Sequence, residues 1–167
     1  MSFFLDSADF AETGEQRDYA LLRRLGCRAC PLAKIADTKH PRIEASGAAS
    51  IGVITPYIDE LNEKIKASIE DDGIDVAGIT GLGITDNFQI AEVPQDEIVE
   101  FAERALGPLA ASGIIDLVFA SCTNFGAMAV RPAIAERLGL PVVTSNQAVL
   151  AAAVARLQAL WWPPPSS

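Results

Sequence analysis

The sequence predicts an α/β fold built on a parallel sheet with helices on both faces. From residue 51 onward, short apolar runs alternate with segments in which apolar residues recur every three or four positions. This alternation is typical of strands that alternate with amphipathic helices in a parallel layer. Four such strand–helix units fit between residues 51 and 160. Right-handed crossovers would put helices on both faces and the functional loops at one edge, as in a flavodoxin-like sheet.

Four runs are predicted to be strands because they are short, apolar and followed by turn-forming residues. The third run is the most apolar outside the C-terminal region, which favours a central strand buried on both faces. The runs cover residues 51–55, 74–79, 114–120 and 141–144.

Four helices are predicted between and after these strands. Pro56 is expected to open the first, because proline is tolerated where the first-turn amide is unpaired. A second helix follows Pro94. Their apolar residues fall on one face of each helix, which is expected to pack on the sheet. These residues are Ile58, Leu61, Ile65 and Ile69 in the first helix, and Ile98, Phe101, Ala102 and Ala105 in the second. The remaining boundaries are an end of the first helix near residue 72, a third helix over about 128–138, and a last helix capped by Ser145 or Asn146.

The regions outside this lobe differ in character. Residues 1–50 mix charges, proline and small residues without a period, which predicts an irregular or divergent N-terminal segment before the lobe at 51–160. Residues 161–167 contain three consecutive prolines and two serines, and are predicted to be a disordered tail.

The charge balance excludes some partners. The net charge is −9, from 13 basic and 22 acidic residues, and such a surface repels phosphate backbones, so no nucleic acid partner is expected. The most apolar stretch, 148–162, is too short to span a bilayer, so no membrane association is expected. Since no secretory signal and no disulfide framework are apparent, the expected compartment is the cytoplasm.

Cys122 is the strongest candidate for chemistry. It follows the most apolar strand and precedes a predicted helix, where nearby amide groups favour a thiolate. Ser121, Thr123 and Asn124 add short polar groups that can bind a substrate oxygen. The alternative is that Cys122 is a small buried hydrophobic residue, as many free cysteines are.

Two further strand ends are expected at the same edge. Tyr57 follows the first strand, and Asp86 and Asn87 follow the loop after the second. A hydroxyl, an amide and a thiol on one rim could hold a carboxylate and exchange a proton beside it. Alternatively, Tyr57 packs over the first helix and Asp86 and Asn87 form only a turn.

Metal and cofactor signals are weak. Cys27 and Cys30 lack the strand-to-helix turn of a redox pair, and a zinc site would need two more ligands from Cys122 and His40. The glycines at 78–83 are followed neither by a helix pattern nor by a P-loop lysine. No metal or coenzyme is therefore expected.

Four segments resemble the second half of the maleate cis-trans isomerases, in the aspartate/glutamate racemase superfamily. They occur in that family's order and together extend over about 51–158. The segments are GVITPYIDELN at 52–62, GITDN at 83–87, SCTN at 121–124 and PVVTSNQA at 141–148.

The resemblance implies one lobe of a two-lobed fold whose active site lies between the lobes and needs no cofactor. In that family a first-lobe cysteine attacks the double bond and gives a succinyl-type adduct, while a second-lobe cysteine acts as acid/base. By resemblance Cys122 matches the second cysteine, and Tyr57 and Asn87 match ligands of the substrate carboxylates. The related arylmalonate decarboxylases use one cysteine in this position to protonate an enediolate. Residues 1–50 do not match a first lobe, so neither Cys27 nor Cys30 is assigned the first nucleophile.

Three functional hypotheses follow. The first is an isomerase that acts on a small dicarboxylate, with Cys122 as acid/base and the chain in a homo-oligomer. The second is a non-catalytic or oligomer-dependent lobe, because a missing lobe would leave an apolar interface exposed. The third is a single-cysteine decarboxylase of the arylmalonate type.

Overall fold

A computed structural model describes residues 47–71, 73–148, 150 and 154. The predictions made for residues 1–46 and 161–167, including those for Cys27, Cys30 and His40, lie outside these described residues. The elements run in the order β1 (Ser50–Thr55), α1 (Asp59–Glu70), β2 (Asp75–Gly81), α2 (Asn87–Glu92), α3 (Gln95–Ala111), β3 (Leu117–Ala120), α4 (Ala127–Leu138) and β4 (Val142–Thr144). A further helix begins at Ser145.

The four strands form one parallel sheet in the order β2-β1-β3-β4. Ile54 in β1 is opposite Ala120 in β3, and Ala120 is opposite Thr144 in β4. The carboxyl ends of these strands are therefore level, and the loops that follow them share one edge. This arrangement confirms the predicted flavodoxin-like sheet and the central position of the third strand.

Helices cover both faces of the sheet, as predicted. On one face Ile51, Val53 and Phe119 form a buried cluster with Ile69 of α1. The strand residues that alternate with these point to the other face, where they pack against α3 and α4. The members of this second cluster that join the sheet to these two helices are Ile54, Val118, Ala120, Ile98, Leu106 and Ile134.

The first helix begins later than predicted. Helix α1 begins at Asp59 rather than Pro56, and Ile58 is an extended N-cap residue with φ −74° and ψ 160°. The reason is that the carbonyl of Pro56 accepts a hydrogen bond from the N–H of Ile84, in the loop after β2, at 2.8 Å. Since this bond joins two loops, residues 56–58 form a turn at the edge of the sheet. Ile58 is consequently 37% exposed and does not lie on the core face.

Other boundaries also differ. Strand β2 continues to Gly81 rather than ending at 79, because Thr80 and Gly81 still pair with Ile54 and Thr55 of β1. The short helix α2 was not predicted, and it begins where the side chain of Asp86 accepts from the N–H of Phe88 at 2.7 Å. Strand β3 begins at Leu117 rather than 114, and Ile114 is 51% exposed. The last helix is capped by neither predicted residue. Instead, Thr144 Oγ1 accepts from the N–H of Gln147, and Gln147 Oε1 accepts from the N–H of Thr144, both at 3.2 Å, which is a capping box.

The remaining predictions for α3 and α4 are confirmed. Ile98, Phe101 and Ala102 of α3 are buried, and α4 ends at Gly139 in a left-handed conformation with φ 67°. None of the helices in the described part of the chain has both the length and the apolar character needed to cross a bilayer.

Candidate active site

Cys122 lies at the shared edge, two residues after the end of β3. The preceding residue, Ser121, still donates its N–H to the carbonyl of Ile54 at 2.9 Å and so continues the sheet. The chain then turns sharply, because Cys122 has a φ of 139°. Within the described residues it is the one non-glycine residue with positive φ. Strained backbone of this kind is concentrated at functional sites, and it persists when the surrounding structure holds it in place.

Hydrogen bonds from both sides fix the strained residue. The N–H of Cys122 donates to Oγ of Ser145 at 3.1 Å, and Ser145 is 1% exposed. The N–H of Asn124 donates to Sγ of Cys122 at 3.3 Å. A donor in this position binds a negatively charged sulfur more strongly than a neutral one. The thiol is half-buried, so it remains within reach of a small molecule.

Tyr57 is a second neighbour of the thiol. Its hydroxyl lies close enough to the Cys122 thiol for the two groups to interact electrostatically. Burial raises the pKa of Tyr57 far above its usual range, and the neighbouring charge of Cys122 raises it further. The phenol therefore stays protonated wherever a thiol titrates, and it acts as a hydrogen-bond donor rather than as a base.

Asn87 and Asn124 form a second pair beside the thiol. The Nδ2 group of Asn124 donates to the carbonyl oxygen of Asn87 at 2.6 Å and to its Oδ1 at 3.1 Å. These bonds tie the start of α2 to the Cys122 loop. They also occupy Oδ1 of Asn87, so its amide group is held in a fixed orientation. Asp86 is the N-cap of α2.

The structure thus brings four of the five predicted site residues into two contacting pairs: Cys122 with Tyr57, and Asn87 with Asn124. Thr123, which lies between Cys122 and Asn124 in the chain, is exposed. Sequence reasoning missed Ser145 as the partner of Cys122, although the Thr144-x-x-Gln147 capping box is visible in the sequence and would have placed Ser145 at a helix start.

Exposed apolar side chains surround this edge. Ile58, Phe88 and Met128 each lie within two residues of the start of a helix, and their exposed fractions are 37%, 79% and 38%. Phe88 directly follows Asn87, and Ile58 directly follows Tyr57. The rim of the candidate site is therefore apolar, although the chain as a whole is strongly acidic.

No group of three or more potential metal ligands among His, Cys, Asp and Glu is found within the described ranges. The polar groups that meet at the sheet edge are a thiol, a phenol, amides and main-chain N–H groups. Such a set can donate hydrogen bonds to a carboxylate and can exchange one proton through the sulfur.

Comparisons with known proteins point to one family. A family model described as arylmalonate decarboxylase matches residues 14–160, so the match begins inside the segment that the sequence analysis set apart from the lobe. Arylmalonate decarboxylase of Bordetella bronchiseptica is 30% identical over 106 residues, which are 64% of this chain and 43% of that protein. Maleate isomerase of Geobacillus stearothermophilus is 25% identical over 136 residues, 81% of this chain and 52% of that protein. The chain spans about half the length of these relatives.

Solved structures agree with this result. An unliganded arylmalonate decarboxylase superposes with a TM-score of 0.64 at 28% identity, covering 72% of this chain and 51% of that one. The maleate cis-trans isomerase of Nocardia farcinica bound to TRIS has a TM-score of 0.66 at 19% identity, covering 91% and 62%, and shows the fold alone. The sheet is thus one lobe of the aspartate/glutamate racemase-like fold, and the chain belongs to the arylmalonate decarboxylase family.

Proposed function

We propose that this chain supplies the cysteine-bearing half of a cofactor-independent site that moves a proton at the carbon next to a carboxylate. The substrate is a small dicarboxylate, and the leading reaction is the isomerisation of maleate to fumarate. The observation that carries the proposal is the strained main chain of Cys122 at the sheet edge, where the thiol accepts from the N–H of Asn124 and lies beside the Tyr57 hydroxyl.

Cys122 acts as the acid/base in this proposal. The S–H bond breaks as its proton is transferred to one alkene carbon, while a nucleophile adds to the other carbon. Rotation about the new single bond follows, and the reverse steps return the proton to sulfur, expel the nucleophile and restore the double bond. The thiolate that forms is stabilised by the N–H of Asn124, 3.3 Å away, and by the Tyr57 hydroxyl. Cys122 is the one cysteine of the described residues, so another part of the chain or another copy supplies the nucleophile.

The substrate carboxylates are held by uncharged donors. Since Oδ1 of Asn87 accepts from Asn124, the Nδ2 of Asn87 is left to donate to a carboxylate oxygen. The Thr123 hydroxyl is exposed beside the thiol and is a second donor. Hydrogen-bond donors in a site with limited water stabilise the charge that builds up on a carboxylate when the neighbouring carbon gains or loses a proton.

Decarboxylation of an arylmalonate is a second candidate, and the family match and the 30% identical relative favour it. Here the bond to one carboxylate breaks and carbon dioxide leaves. The electron pair remains on the carbon as an enediolate, and the Cys122 S–H donates its proton to that carbon. Solvent then returns a proton to the thiolate. This reaction needs one cysteine only.

Homo-oligomer formation is part of the proposal. Ile58, Phe88 and Met128 leave an apolar rim around the candidate site, and a second copy would exclude water from it. Light scattering of the purified chain is expected to give a mass of at least twice 17.7 kDa. A monodisperse monomer would remove this part of the proposal.

Proton NMR of the purified chain tests the function directly. Maleate and phenylmalonate are incubated separately with the wild type and with Cys122→Ser. Fumarate from maleate in the wild type alone supports isomerisation, whereas an arylacetate from phenylmalonate supports decarboxylation. Cys27→Ser/Cys30→Ser removes the two other cysteines and is expected to retain decarboxylation, which needs one cysteine only. Loss of fumarate formation in this variant would assign the nucleophile of the isomerisation to one of these two cysteines, whereas retained formation would assign it to another group or another copy. Absence of both products from the wild type would contradict the proposal.

A further inference from the structure

A buried polar cluster lies beneath the turn that carries Tyr57. Thr55, the last residue of β1, is 0% exposed, and Asn62 of α1 is 2% exposed. Oγ1 of Thr55 donates to Oδ1 of Asn62 at 2.6 Å. An amide at this depth is costly unless it is hydrogen-bonded, and an aliphatic side chain of similar size would be the simpler choice for a core position. The pairing of Asn62 therefore calls for a reason beyond packing.

Both members of the cluster hold the main chain of Tyr57. The N–H of Tyr57 donates to Oγ1 of Thr55 at 3.1 Å, and Nδ2 of Asn62 donates to the carbonyl oxygen of Tyr57 at 3.5 Å. The same carbonyl accepts from the N–H of Gly83 at 3.0 Å. Tyr57 belongs to neither a helix nor a strand, so these bonds satisfy both of its main-chain groups.

Gly81 closes the cluster from the neighbouring strand. A Cβ atom at this position would lie 2.0 Å from the Tyr57 carbonyl oxygen, 2.5 Å from Nδ2 of Asn62 and 3.0 Å from Oγ1 of Thr55. None of these atoms can move away cheaply, because each is main chain or belongs to a buried side chain. The close approach is independent of the hydrogen bonds, and it indicates that the position of Tyr57 is tightly defined.

We propose that Asn62 is a positioning residue for the active site, which acts with Thr55 to hold the Tyr57 hydroxyl against Cys122. The inference rests on the proposed function, in which that hydroxyl stabilises the thiolate. Asn62 contacts neither the thiol nor the substrate. It fixes the main chain from which the tyrosine side chain extends, and a small shift of that main chain would move the hydroxyl away from the sulfur.

The test is the pH profile of Cys122 alkylation by iodoacetamide, measured in the Cys27→Ser/Cys30→Ser background. Tyr57→Phe is expected to raise the midpoint of the profile, because it removes a donor to the thiolate. Asn62→Leu keeps the branched shape of the side chain and removes both hydrogen bonds, and it is expected to raise the midpoint by at least about half a pH unit. Glu63→Gln, at an exposed position on the same helix, is the matched control and is expected to leave the midpoint unchanged.

Two further comparisons separate positioning from general loss of structure. The double variant Asn62→Leu/Tyr57→Phe is expected to show no larger shift than Tyr57→Phe alone, since Asn62 acts through the tyrosine. Thr55→Val is expected to behave like Asn62→Leu, whereas Thr55→Ser retains the hydroxyl and the wild-type midpoint. If Asn62→Leu does not fold, the two Thr55 variants decide the question.

A wild-type profile for Asn62→Leu or Thr55→Val, or full additivity with Tyr57→Phe, would overturn the inference. The readout does not require turnover, so the two proposals fail separately. An alkylation profile that depends on Asn62, in a chain that converts neither maleate nor phenylmalonate, would uphold the positioning role and contradict the proposed reaction.

Discussion

The main-chain N–H of Cys122 donates a hydrogen bond to Oγ of Ser145, although the two residues are 23 positions apart in the chain. The bond joins the loop after β3 to the start of the last helix. Its acceptor is held by the capping box of Thr144 and Gln147, which fixes the first turn of that helix. The strained main chain at Cys122 is thus stabilised by the neighbouring strand–helix unit.

Ser145→Ala is expected to destabilise the protein by about 1–3 kcal/mol, because it leaves a partly buried N–H without its acceptor. It should also slow alkylation of Cys122, because the loop can then relax. Urea unfolding and iodoacetamide kinetics measure the two effects. Ser112→Ala is the control, because it removes an exposed hydroxyl that bonds to the Leu109 carbonyl at the end of α3. Ser112 precedes β3, whereas Cys122 follows β3 at the opposite edge of the sheet. Equal losses of stability in the two variants would argue against a special role for Ser145.

Cys122→Gly is expected to be more stable than Cys122→Ala. At an ordinary position alanine is favoured by about 0.4–1 kcal/mol, because it reduces the entropy of the unfolded chain. At a φ of 139° a side chain costs on the order of 1–3 kcal/mol, whereas glycine adopts this conformation freely. The expected difference is therefore about 1 kcal/mol in favour of glycine, measured from urea midpoints. A more stable alanine variant would show that the loop is not strained.

The sheet was predictable because its signals are local. The four apolar runs and the positive-φ glycine that ends α4 are visible in short windows of sequence. Helix α2 was missed because it has six residues and one buried side chain, Ile90. A single apolar position cannot show the repeat of three to four residues that marks an amphipathic helix. The start of α1 was misplaced because hydrogen bonds to Thr55 Oγ1 and from the N–H of Ile84 determine the path of the chain around Pro56 and Tyr57. Those partners belong to the preceding strand and to a loop far along the chain.

The location of the candidate site was predictable to a similar degree. Strand ends placed Cys122, Tyr57 and Asn87 at one edge, and the structure has them there. The bond from Cys122 to Ser145 and the positive φ of Cys122 depend on how separate loops meet. No window of sequence reveals them. Asn62 lies within the segment that resembles the maleate isomerases, but its role becomes apparent only when its burial and its two partners are known.

Tyr57 is expected to make stability depend on pH in the alkaline range. Burial and the contacts with Cys122 raise its pKa in the folded state above the unfolded value of about 10. Its contribution is complete below pH 10 and is lost as the pH rises further, because the unfolded state then releases a proton that the folded state keeps. Between pH 10 and 11 the unfolding free energy of the wild type should fall more steeply than that of Tyr57→Phe, by up to about 1.4 kcal/mol per pH unit. Parallel slopes in urea titrations at these pH values would contradict this expectation.

Asn124→Asp is expected to weaken diacid binding about tenfold or more, and to do so more than Asn124→Ala. Aspartate places an acceptor opposite the carbonyl and Oδ1 of Asn87, which now accept from Asn124 at 2.6 and 3.1 Å. Facing acceptors repel, so Asn87 would be displaced, and the new carboxylate would also repel a negatively charged diacid. Maleate protection of Cys122 against alkylation measures the binding. Gln89→Glu adds the same charge at an exposed position on α2 and controls for simple electrostatic repulsion. If Gln89→Glu loses as much protection, loss of the hydrogen bonds from Asn124 to Asn87 is not the cause.

Gly81→Ala is expected to destabilise the protein by several kcal/mol and to impair Cys122, because its Cβ would lie 2.0 Å from the Tyr57 carbonyl oxygen. Gly78→Ala in the same strand meets only the end of the Leu109 side chain, at 2.7 Å, and that side chain can rotate. The intermediate loss of stability expected for Gly78→Ala would separate the effect of a clash with main chain from that of a clash with a flexible side chain.

Gly107→Ala has no atom within 4 Å of the new Cβ and lies inside α3, so it should stabilise the protein by up to about 1 kcal/mol. Urea midpoints give the stability order Gly107→Ala, wild type, Gly78→Ala, Gly81→Ala. If Gly81→Ala retained wild-type stability and alkylation kinetics, the turn at Tyr57 would have room to move, and the hydroxyl could not be held on the sulfur by the buried cluster beneath it.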